Sequence, residues 1–279
     1  MLWTMKNTLF LMSLILTACN SNSSHTVPIF SRTASINDVV IDYTVQGDGP
    51  PLYLLHGGME SRDSFNQQIP ELSKSFTVVA LDSREQGRSS RASAQISYEL
   101  MSKDVVALAG QLGHERISIM GSSDGGVTAL TTAINHPNLI HKMIVLGANY
   151  HFEAYPVETR EFLANYEWDG NTDPNSYPGN FIKHYMIGHD DLTEFGGLLK
   201  EMSVMWTSSP AFTVSDLETI KAKTLVINGD HEDMSLDHIL SLYNALPDAQ
   251  LFIVPGGTHY SMEEKPELIN SVVVKFLRE

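Results

Sequence analysis

The sequence predicts an α/β fold, a mostly parallel central sheet flanked by helices on both faces. Three observations predict it. Short apolar runs rich in β-branched residues recur along the 279 residues, longer segments of helical spacing separate them, and several runs end in glycine-bearing polar loops.

In chain order the strands are VVIDYTV (39–45), LYLLH (52–56), FTVVALD (76–82), ISIMG (117–121), KMIVLGA (142–148), TLVING (224–229) and QLFIVPG (250–256). Helices are expected around 61–73, 98–113, 125–136, 236–246 and 264–277. In YELMSKDVVALAGQLG, for example, Leu100, Val105, Leu108 and Leu112 fall at helical spacing with charges between them, so one face packs on the sheet. No internal repeat is present.

One insertion breaks the rhythm. Residues 149–215 are rich in Tyr, Phe, Trp and Met, contain the turn-forming WDGNTDPNSYPGN, and carry no run of the sheet pattern. They are expected to form a helical cap over one end of a core made of residues 35–148 and 216–279. Such a flap can line an apolar cavity and exclude water, or simply pack as a satellite core.

Composition bounds the partners. With 42% hydrophobic residues the chain buries a sizeable core, and disorder is excluded for most of it. A formal charge of -15 argues against nucleic acid, which needs a basic stripe to displace counterions. A single cysteine rules out an internal disulfide framework and a thiolate zinc site.

That cysteine follows MLWTMKNTLFLMSLILTA, where Lys6 precedes an apolar run from Leu9 to Leu16 too short to span a membrane. The segment resembles a bacterial lipoprotein signal, with Leu16, Thr17, Ala18 and Cys19 matching the lipobox. The resemblance implies a signal peptide over 1–18, acylation of Cys19, a flexible tether over 19–34, and a protein anchored in the cell envelope without spanning the membrane. In a Gram-negative cell, Asn20 points to the outer membrane, again by resemblance. Loss of Lys6 leaves the body one charge more negative, so attachment should come from the lipid and not from a basic patch.

The chemistry is concentrated in GSSDGG (121–126). Gly121, Ser123 and Gly125 match GxSxG between a buried strand and the helical VTALTTAI, where a tight turn would present Ser123 in a strained conformation. Backbone N–H groups at the helix start can stabilise a developing anion. A serine hydroxyl needs a base, and the base needs an acid to orient it. GDHED (229–233) and GGTHY (256–260) each follow a strand, at the carboxyl ends where open α/β sheets gather ligands.

Taken with HGG (56–58) and DSREQGRS (82–89), these motifs make residues 35–279 similar to a small, capped α/β-hydrolase of the serine esterase type. The resemblance implies Ser123 as nucleophile, His259 as base, and the N–H groups of Gly58 and Asp124 as the oxyanion hole. The acid is left between two neighbours: alignment without gaps selects Glu232 where the family generally has Asp, and Asp233 follows it. The chain also departs from the family's RGxG, which here reads Arg84, Glu85, Gln86, Gly87, and has the small Ser122 in the elbow.

Other groups have simpler readings. Ser122 lies off the centre of the glycine frame. His56 is expected to satisfy its nitrogens on nearby backbone. HEDMSLDH lacks the spacing of HExxH, and DGNTD (169–173) lacks the rest of a calcium loop. The expected reaction is cleavage of a small acyl compound through an acyl-enzyme, with no metal or organic cofactor and with activity rising through roughly pH 6 to 7 as the histidine loses its proton. A serine nucleophile argues against epoxide-hydrolase and dehalogenase chemistry. Hydrolysis of a lactone, iminopeptide, thioester or C–C bond, acyl transfer, and a non-catalytic envelope ligand-binding role remain as alternatives.

Overall fold

The computed structural model describes residues 30–92 and 94–279; the expected signal segment and Cys19 lie outside the described residues. Eight strands form one sheet: β1 Arg32–Ile36, β2 Val39–Gln46, β3 Pro51–Leu55, β4 Thr77–Leu81, β5 Ile117–Ser122, β6 Ile140–Leu146, β7 Lys223–Gly229 and β8 Ala249–Val254. Their order is β1-β2-β4-β3-β5-β6-β7-β8, with β1 and β2 antiparallel to their neighbours and every later pairing parallel.

The helices are α1 Ile69–Leu72, α2 Tyr98–Gln111, α3 Asp124–Asn135, α4 Val157–Asn165, α5 Gly179–Tyr185, α6 Phe195–Ser208, α7 Val214–Leu217, α8 Leu236–Ala245, α9 Ser261–Glu264 and α10 Pro266–Arg278. Alternation along the strands sends side chains to two cores. Tyr53, Leu55, Val79, Ile119 and Val145 meet α2 and α3 on one face. On the other, Leu52, Leu54, Val78 and Ile144 meet Ile69 and Leu72 of α1 and Val273 and Phe276 of α10.

Three sequence expectations need correction. The sheet begins at Arg32, so the tether expected to reach residue 34 gives way to β1; only the middle residue of RTASI is buried, which leaves no apolar alternation to read. The helix expected over 61–73 is a 3-10 turn, Arg62–Phe65, followed by the single turn α1 with proline in its first positions. The helix expected from 264 divides at Lys265 into α9 and α10, because Pro266 starts a new helix.

The excursion between β6 and β7 leaves and returns through a narrow neck. His151 bridges Ala211, Phe152 N–H donates to Pro210 O at 2.7 Å and Phe212 N–H to Tyr150 O at 3.0 Å. Beyond the neck, side chains of α4, α5 and α6 line one cavity with Gly58 and Ser123 of the loops after β3 and β5. Phe195, Leu198, Leu199 and Met202 of α6 are buried in the same core as α2 and α3, so the excursion packs onto that core. Met202 and Met205 serve that packing, as do Tyr185 and Phe195, while Tyr155, Tyr177, Phe181 and Trp206 line a cavity.

Candidate active site

The two halves of the site straddle the point where sheet order reverses. The chain proceeds from β3 outward to β4 in one direction and through β5 to β8 in the other, so the loops after β3 and β5 flank a crevice. HGG is in the first loop and Ser123 in the second, with Leu55 paired to Gly121 across the strands.

Ser123 caps α3 with φ 51° and ψ -120°, a conformation that L residues rarely adopt. The surrounding glycines allow it. A Cβ on Gly121 would lie 2.1 Å from Gly125 O, and one on Gly125 would lie 2.0 Å from Leu55 O. The strain is held by Ser123 N–H donating to Leu146 O (2.8 Å) and by Gly126 and Val127 N–H donating to Ser123 O (2.8 and 3.0 Å).

The loops after β7 and β8 are stitched together. His231 N–H donates to Gly257 O at 2.9 Å, Gly256 N–H donates to Asp230 Oδ1 at 2.7 Å, and Gly229 packs so closely that a Cβ there would lie 2.1 Å from Gly257 O. This brings Glu232 to His259: the Nδ1 atom is 2.9 Å from Oε2 and 3.0 Å from Oε1. With both contacts on a carboxylate, Nδ1 carries the proton and donates. Asp233 is exposed and makes no such contact, so of the two acids left open by the sequence, Glu232 is the one brought to the imidazole.

Burial opposes charging of His259, but the Glu232 hydrogen bond and the nearby carboxylates of Glu232, Glu60 and Asp124 outweigh it and raise the imidazole pKa above 6.5. Ser123 and His259 line one cavity of about 180 Å³, together with Gly58, Asp124 and the cap residues Tyr155, Tyr177, Phe181 and Trp206. Among the described residues, the hydrogen bonds of the His259 ring are those to Glu232; the Ser123 hydroxyl shares the cavity without one to the ring. Such contacts commonly tighten only when substrate is bound.

The turn carrying Gly58 is fixed from several sides. His56 Nδ1 donates to Gly57 O (2.7 Å) while its Nε2 accepts Ser83 N–H (2.9 Å), so both ring nitrogens are satisfied on backbone, as expected. Gly57 N–H donates to Glu60 Oε2 at 3.2 Å, Met59 N–H to Gln86 Oε1 at 2.6 Å and Glu60 N–H to Gly57 O at 3.2 Å. Among the described residues, the Gly58 N–H is the one in this turn with no protein acceptor, and Asp124 N–H at the start of α3 likewise has none.

Several residues here were not singled out by the sequence. The Asp124 side chain accepts from Tyr98 Oη and Trp206 Nε1, each at 2.8 Å, and burial pushes its carboxyl above the ordinary range against the pull of those two donors. Its Oδ2 would lie 2.3 Å from a Cβ on Gly58. Glu60 and Tyr260 complete the cavity wall. Tyr98 and Trp206 stand 26 and 82 positions from Asp124, too far apart for any local pattern to connect them. Among the described residues there is no group of three or more metal-ligating side chains.

Comparison with known proteins agrees with this fold. The family model of the alpha/beta hydrolase fold matches residues 50–185. Serine hydrolase BPHL of Homo sapiens is 37% identical over 127 residues, which is 43% of this chain and 44% of that protein. The 2-hydroxy-6-oxo-6-phenylhexa-2,4-dienoate hydrolase of Comamonas testosteroni is 28% identical over 269 residues, 88% of this chain and 93% of its own length. The solved structure of the hydrolase of that name from Rhodococcus sp. strain RHA1 superposes with a TM-score of 0.76 at 22% identity, covering 91% of this chain and all of that one. The chain has the α/β-hydrolase fold, and the relatives it matches over most of its length are hydrolases.

Proposed function

We propose that the chain is a serine hydrolase that cleaves small carboxylic esters through an acyl-enzyme. The observation that carries the reading is a strained Ser123 sharing one cavity with an imidazole whose Nδ1–H is held by Glu232. His259 Nε2 takes the Ser123 proton as the oxygen attacks the ester carbonyl, and the N–H groups of Gly58 and Asp124 receive the developing oxyanion. The imidazolium then protonates the departing alcohol, and water activated by the same ring releases the acid. Glu232 fixes the tautomer and stabilises the imidazolium.

The cavity favours small, uncharged acyl groups. Its volume of about 180 Å³ is close to that of a dry cavity of roughly 150 Å³ that accepts benzene. Its lining carries the carboxyl groups of Glu60 and Asp124 and no Lys or Arg. A dienoate, the substrate that the name of the Comamonas relative gives, would bring a carboxylate beside those acids with no Lys or Arg to receive it, which favours ester over C–C bond hydrolysis here.

The experiment is hydrolysis of p-nitrophenyl acyl esters of increasing chain length by wild type and Ser123→Ala. Wild type should turn over acetate and butyrate best, and the variant should be inactive. Equal rates for the two proteins would reject the serine mechanism.

We also propose that the chain is lipid-anchored in a bacterial envelope through Cys19, on the strength of LTAC at 16–19. Metabolic labelling with a fatty acid should mark wild type and not Cys19→Ala; equal labelling would reject the anchor.

A further inference from the structure

We propose that Gln86 is a positioning residue for the oxyanion turn: its side-chain carbonyl holds the Gly58–Met59 peptide in a strained orientation that seats the Gly58 N–H for catalysis. The inference rests on the serine-hydrolase reading.

The turn is closed by Glu60 N–H donating to Gly57 O at 3.2 Å, and its third residue, Met59, has φ +58°. A four-residue turn with positive φ at the third position is of type II, where glycine is the preferred residue. Methionine lacks that freedom. A half-rotation of the 58–59 peptide would convert the turn to type I and return Met59 to a negative φ. The same rotation would carry Met59 N–H away from Gln86 Oε1, which now accepts it at 2.6 Å in a buried setting. The hydrogen bond therefore opposes the relaxation that the methionine backbone favours.

Gln86 can do this because its own backbone is held. It is 2% exposed and stands between two residues of positive φ, Glu85 at +66° and Gly87 at +55°. Its N–H donates to Ser83 O at 3.0 Å and its carbonyl accepts Ser89 N–H at 3.1 Å. A Cβ on Gly87 would lie 2.5 Å from the Asp82 carboxyl carbon, so the loop is packed against the end of β4.

Rotation of the 58–59 peptide changes ψ of Gly58. The Gly58 Cα stands close against Asp124 and Trp206, since a Cβ there would lie 2.3 Å from Asp124 Oδ2 and 2.6 Å from Trp206 Cζ2, so a turn that readjusts after the rotation does so against side chains that frame the cavity. Readjustment of the turn around the rotated peptide would displace the Gly58 N–H, and an oxyanion donor acts only within a narrow range of positions.

The test compares wild type, Gln86→Met, Gln86→Glu and the double variant Gln86→Met/Met59→Gly. It reads the labelling rate of Ser123 by a fluorophosphonate, kcat and KM for p-nitrophenyl acetate, and the thermal midpoint. Gln86→Met should lose about 10- to 100-fold in both labelling rate and kcat, with KM changed by no more than about twofold. Gln86→Glu keeps an acceptor oxygen and should recover most of the rate. The double variant should also recover, because glycine adopts the positive φ without a partner to hold it. Labelling of Gln86→Met at the wild-type rate, a loss confined to KM, or a double variant no faster than Gln86→Met would overturn the proposal. Wild type that fails to label at all would instead overturn the serine-hydrolase reading on which it rests.

Discussion

Glu232 faces His259 with both carboxylate oxygens, 2.9 and 3.0 Å from Nδ1, while its neighbour Asp233 points into solvent. The loops after β7 and β8 are tied by His231 N–H to Gly257 O and by Gly256 N–H to Asp230 Oδ1, which fixes how far the acid stands from the ring. Glu232→Ala should lower kcat on the order of a thousandfold or more, since the imidazole loses both its tautomer and its charge partner. Asp233→Ala should stay near wild type. The ester assay checks both, and a larger loss in Asp233→Ala would reverse the assignment.

The pH profile tests the same pair electrostatically. In the proposed mechanism His259 must be neutral to act, and its pKa is raised above 6.5 because the Glu232 contact and neighbouring carboxylates outweigh burial. The rising limb of kcat/KM should therefore have its midpoint above 6.5, at the upper end of the range expected from sequence or beyond it. Glu232→Gln removes the charge and should move the midpoint down. A limb below 6.5 in wild type would contradict the arrangement.

The elbow glycines are set by contact, not by flexibility alone. Gly125 has ordinary helical placement in α3, yet a Cβ there would come within 2.0 Å of Leu55 O and 2.7 Å of His56 O. Gly125→Ala must push α3 away from β3 and disturb the Gly58 turn at the same time. It should both destabilise the fold and lower kcat, which thermal unfolding and the ester assay on the soluble fraction will show. A fully stable, fully active Gly125→Ala would mean that the crevice has slack.

The parts of the fold and site visible in the sequence are those that use a local pattern. The parallel strands are nearly continuous apolar runs, and the elbow and the His259 loop each place a chemical residue beside glycines at the end of such a run. The strand β1 is invisible because RTASI buries one side chain on an edge that otherwise meets solvent. The Glu232 and Asp233 ambiguity is of another kind: one residue of shift in a loop changes no hydrophobic pattern, so only the distance to His259 separates them. Gln86 stood in a motif whose departure from RGxG was legible, but the turn it reaches lies 27 positions away. Pairings at such range are products of topology.

His238 gives a pH effect outside the chemistry. Its ring stacks on Tyr150 at 4.3 Å, its Nε2 accepts Tyr150 N–H at 3.2 Å at the neck of the cap, and burial together with repulsion from His151 pushes its pKa down to about 4. A histidine depressed in the folded state favours unfolding once the unfolded chain begins to take up the proton. Stability should thus fall as pH drops from about 6.5 toward 4 and level off below. His238→Gln should flatten that part of the stability curve, as followed by denaturant unfolding across the range. An unchanged slope in the variant would assign the acid sensitivity elsewhere.

Arg84 is wholly buried and donates through Nε and Nη2 to Asp104, at 2.6 and 2.9 Å, with Asp38 as a further partner at 3.2 Å. Asp104 also accepts from Asn37 at 2.7 Å, so this one pair ties α2, the β1–β2 turn and the loop that bears Gln86. Removing the cation leaves an almost fully buried carboxylate with only the amide to receive it. Arg84→Met should cost about 3–5 kcal/mol in unfolding free energy, the usual penalty for stranding one member of a buried pair. Asp104→Asn combined with Arg84→Met should recover part of that loss, because the stranded charge is gone as well. Denaturant unfolding of the single and double variants measures both, and a double variant less stable than Arg84→Met would show that the ion pair contributes by something other than mutual neutralisation.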